Sequence, residues 1–215
     1  MKERDMCECC QKESTAFFDS IASKWDSWED LATLPAKLDA ELARFGIQPD
    51  DHVLDVGCGT GNLTAAILRQ VSAQGKVTAI DMSDRMIAIA QSKIRDPRVT
   101  WLCDAVEHLD NDTGPFDRII CYSVWPHLTN PRKAAAVFLN LLKPGGALDI
   151  WHLISRDAVN KIHSEASEAV RDHILQPAAK TGDLLAQTGF IVDKMVDSDT
   201  RYLVSARKPL SKTQS

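Results

Sequence analysis

The sequence predicts an α/β fold, a largely parallel sheet with helices on both faces, and three observations lead there. The first is the stretch Val53 to Asn62, V-L-D-V-G-C-G-T-G-N. Val53, Leu54 and Val56 form an apolar run suited to a buried strand, and Gly57, Gly59 and Gly61 let the backbone turn sharply and come close to a ligand. The second is a helical pattern directly after the glycines. Leu63, Ala66, Ile67 and Val71 recur at helical spacing, so the loop presents free N–H groups at a helix N-terminus, where anions are stabilised. Strand, glycine loop and helix make a nucleotide-binding half of the Rossmann kind. The third is the continued alternation, with strand-like runs at Lys76 to Ile80, Val99 to Cys103, Phe116 to Tyr122 and Ala147 to Leu153 separated by helical stretches. At 215 residues the chain fits a single domain, residues 1–215, with a sizeable core.

The glycine loop departs from the dinucleotide fingerprint. G-x-G-x-x-G has two residues before its last glycine, whereas this loop reads G-x-G-x-G and carries an acid, Asp55, two places before Gly57. At this point the chain resembles the class I S-adenosylmethionine (SAM) dependent methyltransferases of small-molecule type, and is similar to the ubiquinone/menaquinone-biosynthesis methyltransferases. Leu54 to Gly61 matches the first motif, and the match continues through Asp81, Asp104 and Leu142-Lys143-Pro144-Gly145-Gly146, over roughly residues 15 to 150. The resemblance implies SAM as cofactor and a Rossmann-like sheet of seven strands in the order 3-2-1-4-5-7-6, the last strand antiparallel. It places Trp25, Asp55, Gly57, Cys58, Gly59, Gly61, Asn62, Asp81, Met82, Met86, Asp104, Ala105 and Ser123 around the cofactor.

Near the N-terminus, Cys7, Cys9 and Cys10 crowd three thiols into four residues, which a soft metal ion could use. A closed zinc site needs four ligands, and no second C-x-x-C pair stands elsewhere, so a reduced N-terminal segment is the plainer reading. Phe17, Ile21, Trp25 and Trp28 fall four, four and three apart on one apolar face. The resemblance makes residues 1–46 a helical lid with Trp25 as an aromatic contact; ordinary packing of a first helix is the alternative. Leu31 to Phe45 is a second helix, with Pro35 near its start and Gly46 as its stop.

Asp81 closes the second strand about 20 residues past the loop, where Rossmann-like sites grip ribose hydroxyls. Ser83 is the better N-cap for the helix Asp84 to Ile94, which frees Asp81 for that role. By resemblance, Met82 and Met86 flank the adenine, and Asp104 and Ala105 read its edge. Ser123 to His127 is the loop leaving the fourth strand, at the edge where open α/β sheets bind ligands. Asn130-Pro131 caps a helix through Leu142, and Lys143-Pro144-Gly145-Gly146 turns the chain into the fifth strand. Ser155 to Ile174 reads as one helix with Val159, Ile162, Ala166 and Ala169 or Val170 inward, and residues 154–180 form a cover over the acceptor pocket. A helix over Gly182 to Gln187 and an antiparallel pair, Phe190 to Val196 and Tyr202 to Arg207, complete the chain.

Net charge is −5 without any run of Lys or Arg, so a nucleic-acid partner is not expected and a small-molecule acceptor is. Neither a signal-peptide core nor an 18-residue apolar run occurs, which predicts a cytoplasmic protein without a stable membrane anchor, its thiols reduced. Oligomeric state is left open.

Methyl transfer is an in-line displacement that depends on orientation, and an acceptor bearing a proton needs a base. His127 after the fourth strand and His152 near the end of the fifth are the candidate catalytic residues. Three readings remain. His127 and His152 act as a base or orienting pair; or His127, His152 and His163 hold a metal ion; or all are hydrogen-bonded wall residues. His52, His108 and His173 read as surface or structural. Two further functions stay beside the methyltransferase: a SAM-binding or metal-binding protein using His127, His152 and His163 or Cys7, Cys9 and Cys10, and an NAD(P)-dependent oxidoreductase.

Overall fold

The computed structural model describes residues 8–210, with side chains from Lys12 onward. Helix α1 (Glu8–Ile21) runs into a 3-10 segment (Ala22–Trp28) and is followed by α2 (Leu34–Phe45), β1 (His52–Val56), α3 (Asn62–Gln70), β2 (Lys76–Asp81) and α4 (Asp84–Lys93). Then come β3 (Val99–Cys103), β4 (Phe116–Tyr122), α5 (Pro131–Leu141), β5 (Leu142–His152), α6 (Arg156–Ala166) and α7 (Glu168–Arg171). Helix α8 (Ala178–Thr188) and strands β6 (Ile191–Asp197) and β7 (Tyr202–Arg207) close the fold.

The strands form one sheet in the order β3-β2-β1-β4-β5-β7-β6, as the resemblance implies. Strands β3, β2, β1, β4 and β5 are parallel, and β7 runs antiparallel to both β5 and β6. Side-chain alternation builds two cores. Leu54 and Val56 of β1 join Ile119, Leu148 and Val204 under α5 and α8, where Phe138 and Leu185 are buried. Val53 points the other way, with Val77, Ile120, Trp151 and Leu203, under Leu38 and Leu42 of α2 and Ile67 of α3. Both faces are therefore covered, and the sheet's carboxyl edge is where open sheets of this kind bind ligands.

Four sequence expectations are corrected. The continuous helix Ser155 to Ile174 is two helices, because Ser167 is extended (φ −160°, ψ 154°) and its hydroxyl caps α7 at Ala169 N. That break turns Val159 and Val170 inward while Ile162 stays 55% exposed. Phe17 to Trp28 is no single helix face: the chain tightens to 3-10 geometry at Ala22, and Trp28 is 62% exposed. Lys143-Pro144-Gly145-Gly146 belongs to β5 as an irregular, register-shifting segment, since Phe116 pairs with Leu142 but Arg118 with Ala147. Helix α8 begins at Ala178, directly after Pro177, because the small residues Ala178, Thr181 and Gly182 pack inward and leave little apolar signal.

At the centre of the sheet Asp149 of β5 is buried, paired with Arg118 of β4 and accepting a bond from Ser205 Oγ of β7 at 2.7 Å. Removing one member strands the other charge inside the protein. Urea unfolding of Asp149→Ala is expected to show a loss of about 3–5 kcal/mol. Arg69→Ala, which breaks the solvent-facing pair with Asp39, should cost under about 1 kcal/mol.

Candidate active site

The glycine loop is tied to the neighbouring strand before any ligand is considered. Gly57 N and Cys58 N both donate to the Ile80 carbonyl, at 2.8 and 3.0 Å. Asp81 then accepts from Gly59 N through Oδ2 and from Ser83 N through Oδ1, each at 2.9 Å. Gly57 has φ +66°, and a Cβ there would lie 2.2 Å from Val124 Cγ2, so only glycine allows the loop after β4 to pass. At Gly59, φ +52°, such a Cβ would meet only Trp25 Nε1, at 3.9 Å, an ordinary contact, so the constraint there is the left-handed backbone rather than crowding. Ser83 caps α4 through Met86 N, as its position in the sequence suggests.

The N-terminal segment straps this loop down. Asp26 accepts from Thr60 Oγ1 at 2.6 Å, Asn62 Nδ2 at 3.1 Å and Lys93 Nζ at 2.8 Å. Burial pushes the Asp26 carboxyl up, but the bonds from Lys93, Thr60 and Asn62 outweigh it and hold the group below the ordinary carboxylate range. Asp19 accepts from Ser83 Oγ at 2.5 Å. Between strap and sheet edge lies a cleft lined by Gly57, Gly59, Asp81, Met82, Met86 and Asp104, with Phe18, Trp25, Ser123, Glu107 and His127 at its other side. Burial raises the Asp81 carboxyl, against the opposing effect of its bonds from Ser83 and Gly59.

A second cavity, of about 280 Å³, adjoins the first and shares Phe18, Trp25, Ser123 and His127 with it. Its walls are apolar, from Phe17, Ile21 and Trp28 of the strap to Ile154, Val159, Ile162 and Val170 of the α6–α7 cover. Its polar groups are His127, His152, His163, Ser123 and Glu29. Ser123 sits at φ +55°, the one left-handed non-glycine residue among those described, and its N–H is fixed by the Trp151 carbonyl at 3.0 Å. Burial, then Asp26, raises the Glu29 carboxyl. All three histidines are held neutral by burial: His127 well below its ordinary value, His152 down to about 3, and His163 lowered despite its bond to a backbone carbonyl. His152 packs against Tyr202, and its Nε2 is buried with no partner among the described residues.

Of the residues expected at the cofactor, Trp25, Gly57, Gly59, Asp81, Met82, Met86, Asp104 and Ser123 line the first cleft; Asp55, Cys58, Gly61, Asn62 and Ala105 do not. Asp55 lies beneath the loop and accepts from Thr64 Oγ1 at 2.6 Å. Cys58 packs with Ala79 and Ile87, Ala105 is buried, and Asn62 faces Asp26. Asp104 is half exposed and receives His108 Nδ1 at 2.7 Å. His52 bonds Thr78 Oγ1 at 2.9 Å, a structural placement.

His127 lines both cavities, whereas His152 and His163 line only the second. Among the described residues no group of three His, Cys, Asp or Glu side chains is arranged to hold a metal ion, which corrects the reading of His127, His152 and His163 as ligands. Cys7 and the thiols of Cys9 and Cys10 lie outside the described residues. Sequence reasoning missed Glu29 and the contact of His173, whose Nδ1 is 2.7 Å from His127 Nδ1; Phe18, Asp19 and Asp26 entered only as part of the lid segment, by resemblance and without their partners. The one available signal was the aromatic spacing of the N-terminal segment.

A seven-stranded sheet in this order, with a glycine loop and an acid closing each of β2 and β3 around one cleft, defines the class I SAM-dependent methyltransferase architecture. Comparison with known proteins then gives the family. A methyltransferase-domain family model matches residues 53–146. The chain is 31% identical over 179 residues to the ubiquinone/menaquinone biosynthesis C-methyltransferase UbiE of Yersinia enterocolitica, covering 79% of this chain and 68% of that one. It is 33% identical over 140 residues to the enzyme of the same name from Idiomarina loihiensis, covering 60% of this chain and only about half, 54%, of that protein's length. A SAM-dependent methyltransferase from Aquifex aeolicus superposes with a TM-score of 0.69 at 23% identity, over 86% of this chain and 97% of that one, and so shares the fold. The N-methyltransferase NodS of Bradyrhizobium japonicum gives a TM-score of 0.65 at 20% identity, over 84% and 99%. The chain belongs to the class I SAM-dependent methyltransferases and is similar to the quinone-biosynthesis C-methyltransferases.

Asp55 supplies a pH prediction. Burial raises its carboxyl to about 7, the Thr64 bond only partly opposing it and Asp81 adding to it. The folded protein thus keeps a proton that the unfolded chain releases near pH 4, so this site's contribution to stability is present below about pH 4 and is lost as pH rises through about 7. Asp55→Asn carries no such titration. The stability difference between wild type and variant, from urea unfolding at several pH values, should move in the variant's favour across that window.

Proposed function

We propose that this protein transfers the methyl group of SAM to a small, largely apolar acceptor held between the N-terminal strap and the α6–α7 cover. The observation that carries the reading is the meeting, at Phe18, Trp25, Ser123 and His127, of two adjoining cavities, one with the Asp81 and Asp104 carboxyls in its lining and the other with three histidines among aromatic and aliphatic walls. The cleft lined by Gly59 and the partly buried Asp81 carboxylate suits the adenosyl part of the cofactor. In this reading Asp81 takes the ribose hydroxyls, Met82 and Met86 flank the adenine, and Asp104, held by His108, meets its amino group. Trp25 and Ser123 border the sulfonium side. Bound there, SAM supplies an electrophilic methyl carbon.

The chain's own work is orientation and exclusion of water. Phe17, Phe18, Trp25 and Trp28 wall the acceptor off, and holding it in line with the methyl can supply about 7–11 kcal/mol of the barrier. His127 and His152, neutral in this dry pocket, accept a proton or hold an acceptor oxygen. Quinone-ring carbon methylation, from the relatives' names, is the first acceptor class to try. The net charge of −5 favours a small molecule over nucleic acid, and the free thiols of Cys58, Cys103 and Cys121 suit a reducing, cytoplasmic setting. Among the described residues no helix is long and apolar enough to cross a membrane.

Titration calorimetry with SAM, S-adenosylhomocysteine and NAD tests the reading. The first two should bind and NAD should not; tight NAD binding without SAM would replace the proposal with an oxidoreductase. Asp81→Ala should weaken SAM at least about tenfold, since each hydrogen bond to a charged group is worth about 1.5–3 kcal/mol.

A further inference from the structure

The segment between α7 and α8 carries a histidine that the cofactor and acceptor roles leave unused. His173 is buried, and its Nδ1 stands 2.7 Å from Nδ1 of His127, 46 positions earlier in the chain. The segment is stitched to α6 at three points. His163 Nδ1 donates to the His173 carbonyl at 2.5 Å, Asn160 Nδ2 donates to the Leu175 carbonyl at 3.1 Å, and Leu175 N donates to Asn160 Oδ1 at 2.8 Å. Phe18 closes the far side of His127 edge-on at 5.1 Å between centroids.

The chemistry of imidazole makes this contact informative. Two lone pairs or two N–H groups cannot face each other at hydrogen-bond distance, so one Nδ1 carries the proton and the other accepts it. Burial, with repulsion from His163, His173 and His152, keeps His127 uncharged; burial and His163 lower His173, with Asp172 opposing them. Two neutral rings sharing one Nδ1 proton must hold complementary tautomers. Nε2 of His127 is then the nitrogen left for a ligand.

We propose that His173 is a positioning residue that fixes the tautomer of His127 and receives its proton. This rests on the reading that His127 borders the acceptor. As the bond from the methyl carbon to the acceptor forms and the methyl–sulfur bond breaks, its electron pair staying on sulfur, the acceptor's proton goes to Nε2 of His127. The Nδ1 proton of His127 passes to Nδ1 of His173, and His173 gives its Nε2 proton to water. Both rings end neutral with their tautomers exchanged, so no charge is stranded in the apolar pocket. Proton exchange with water in the emptied cleft restores the starting forms.

The test is nuclear magnetic resonance of the full chain with 15N-labelled histidine, without cofactor or acceptor. One imidazole proton should couple across the hydrogen bond to the Nδ1 atoms of both His127 and His173. In His173→Phe that coupling should vanish and the His127 ring should average between tautomers. In His173→Gln, whose amide can accept through Oε1 or donate through Nε2, the coupling between two imidazole Nδ1 atoms should likewise vanish, which keeps the test decisive if the Phe variant fails to fold. SAM affinity by calorimetry should stay within about twofold in both variants. Absence of the coupling in wild-type protein, a coupling that survives either variant, a His127 ring that still holds one tautomer in His173→Phe, or a metal ion found on the two Nδ1 atoms would overturn the proposal. Failure of wild-type protein to bind SAM would sink the methyltransferase reading and leave the imidazole pair standing.

Discussion

The carboxylate of Asp81 is the interaction on which the cofactor cleft depends. One oxygen holds Gly59 N and the other Ser83 N, so a single partly buried side chain fixes both the glycine loop after β1 and the turn after β2. Charge-assisted bonds of this kind are about twice as strong as neutral ones. The Ile80 carbonyl, receiving Gly57 N and Cys58 N, anchors the loop from the same strand end. The parallel pairing of β1 with β2 thus determines where a ligand can sit.

The N-terminal segment acts through a second set of carboxylates. Asp26 reaches the loop at Thr60 and Asn62 and the helix α4 at Lys93, while Asp19 reaches Ser83. These bonds carry Phe18 and Trp25 into the border between the two cavities. Polar ties and an aromatic wall therefore come from one short stretch, held by three partly buried hydrogen bonds and the solvent-facing bond from Lys93.

Much of this architecture was legible in the sequence because it is local. The apolar run before Gly57, the Ser83 cap and the extent of β4 are set by neighbours a few residues away, and each is found where the sequence predicts it. The sheet order came from resemblance, not from periodicity. What stayed hidden involves partners far apart in the chain. Asp26 to Lys93, His127 to His173 and Glu29 within the second cavity leave no trace in spacing. Asp55 shows the opposite limit: its place in the motif pointed to the cofactor, yet the side chain turns under the loop to Thr64. The break at Ser167 escaped because a serine inside a helical pattern reads equally as a solvent-facing residue or as a cap.

Where the sulfur lies tests the two-cavity reading most directly. In a crystal structure with S-adenosylhomocysteine, the adenosyl group is expected against Asp81 and Met86, with the sulfur at the junction of Phe18, Trp25, Ser123 and His127, facing the apolar cavity. A sulfur turned away from that junction, or an adenosyl group outside the Asp81 cleft, would contradict it.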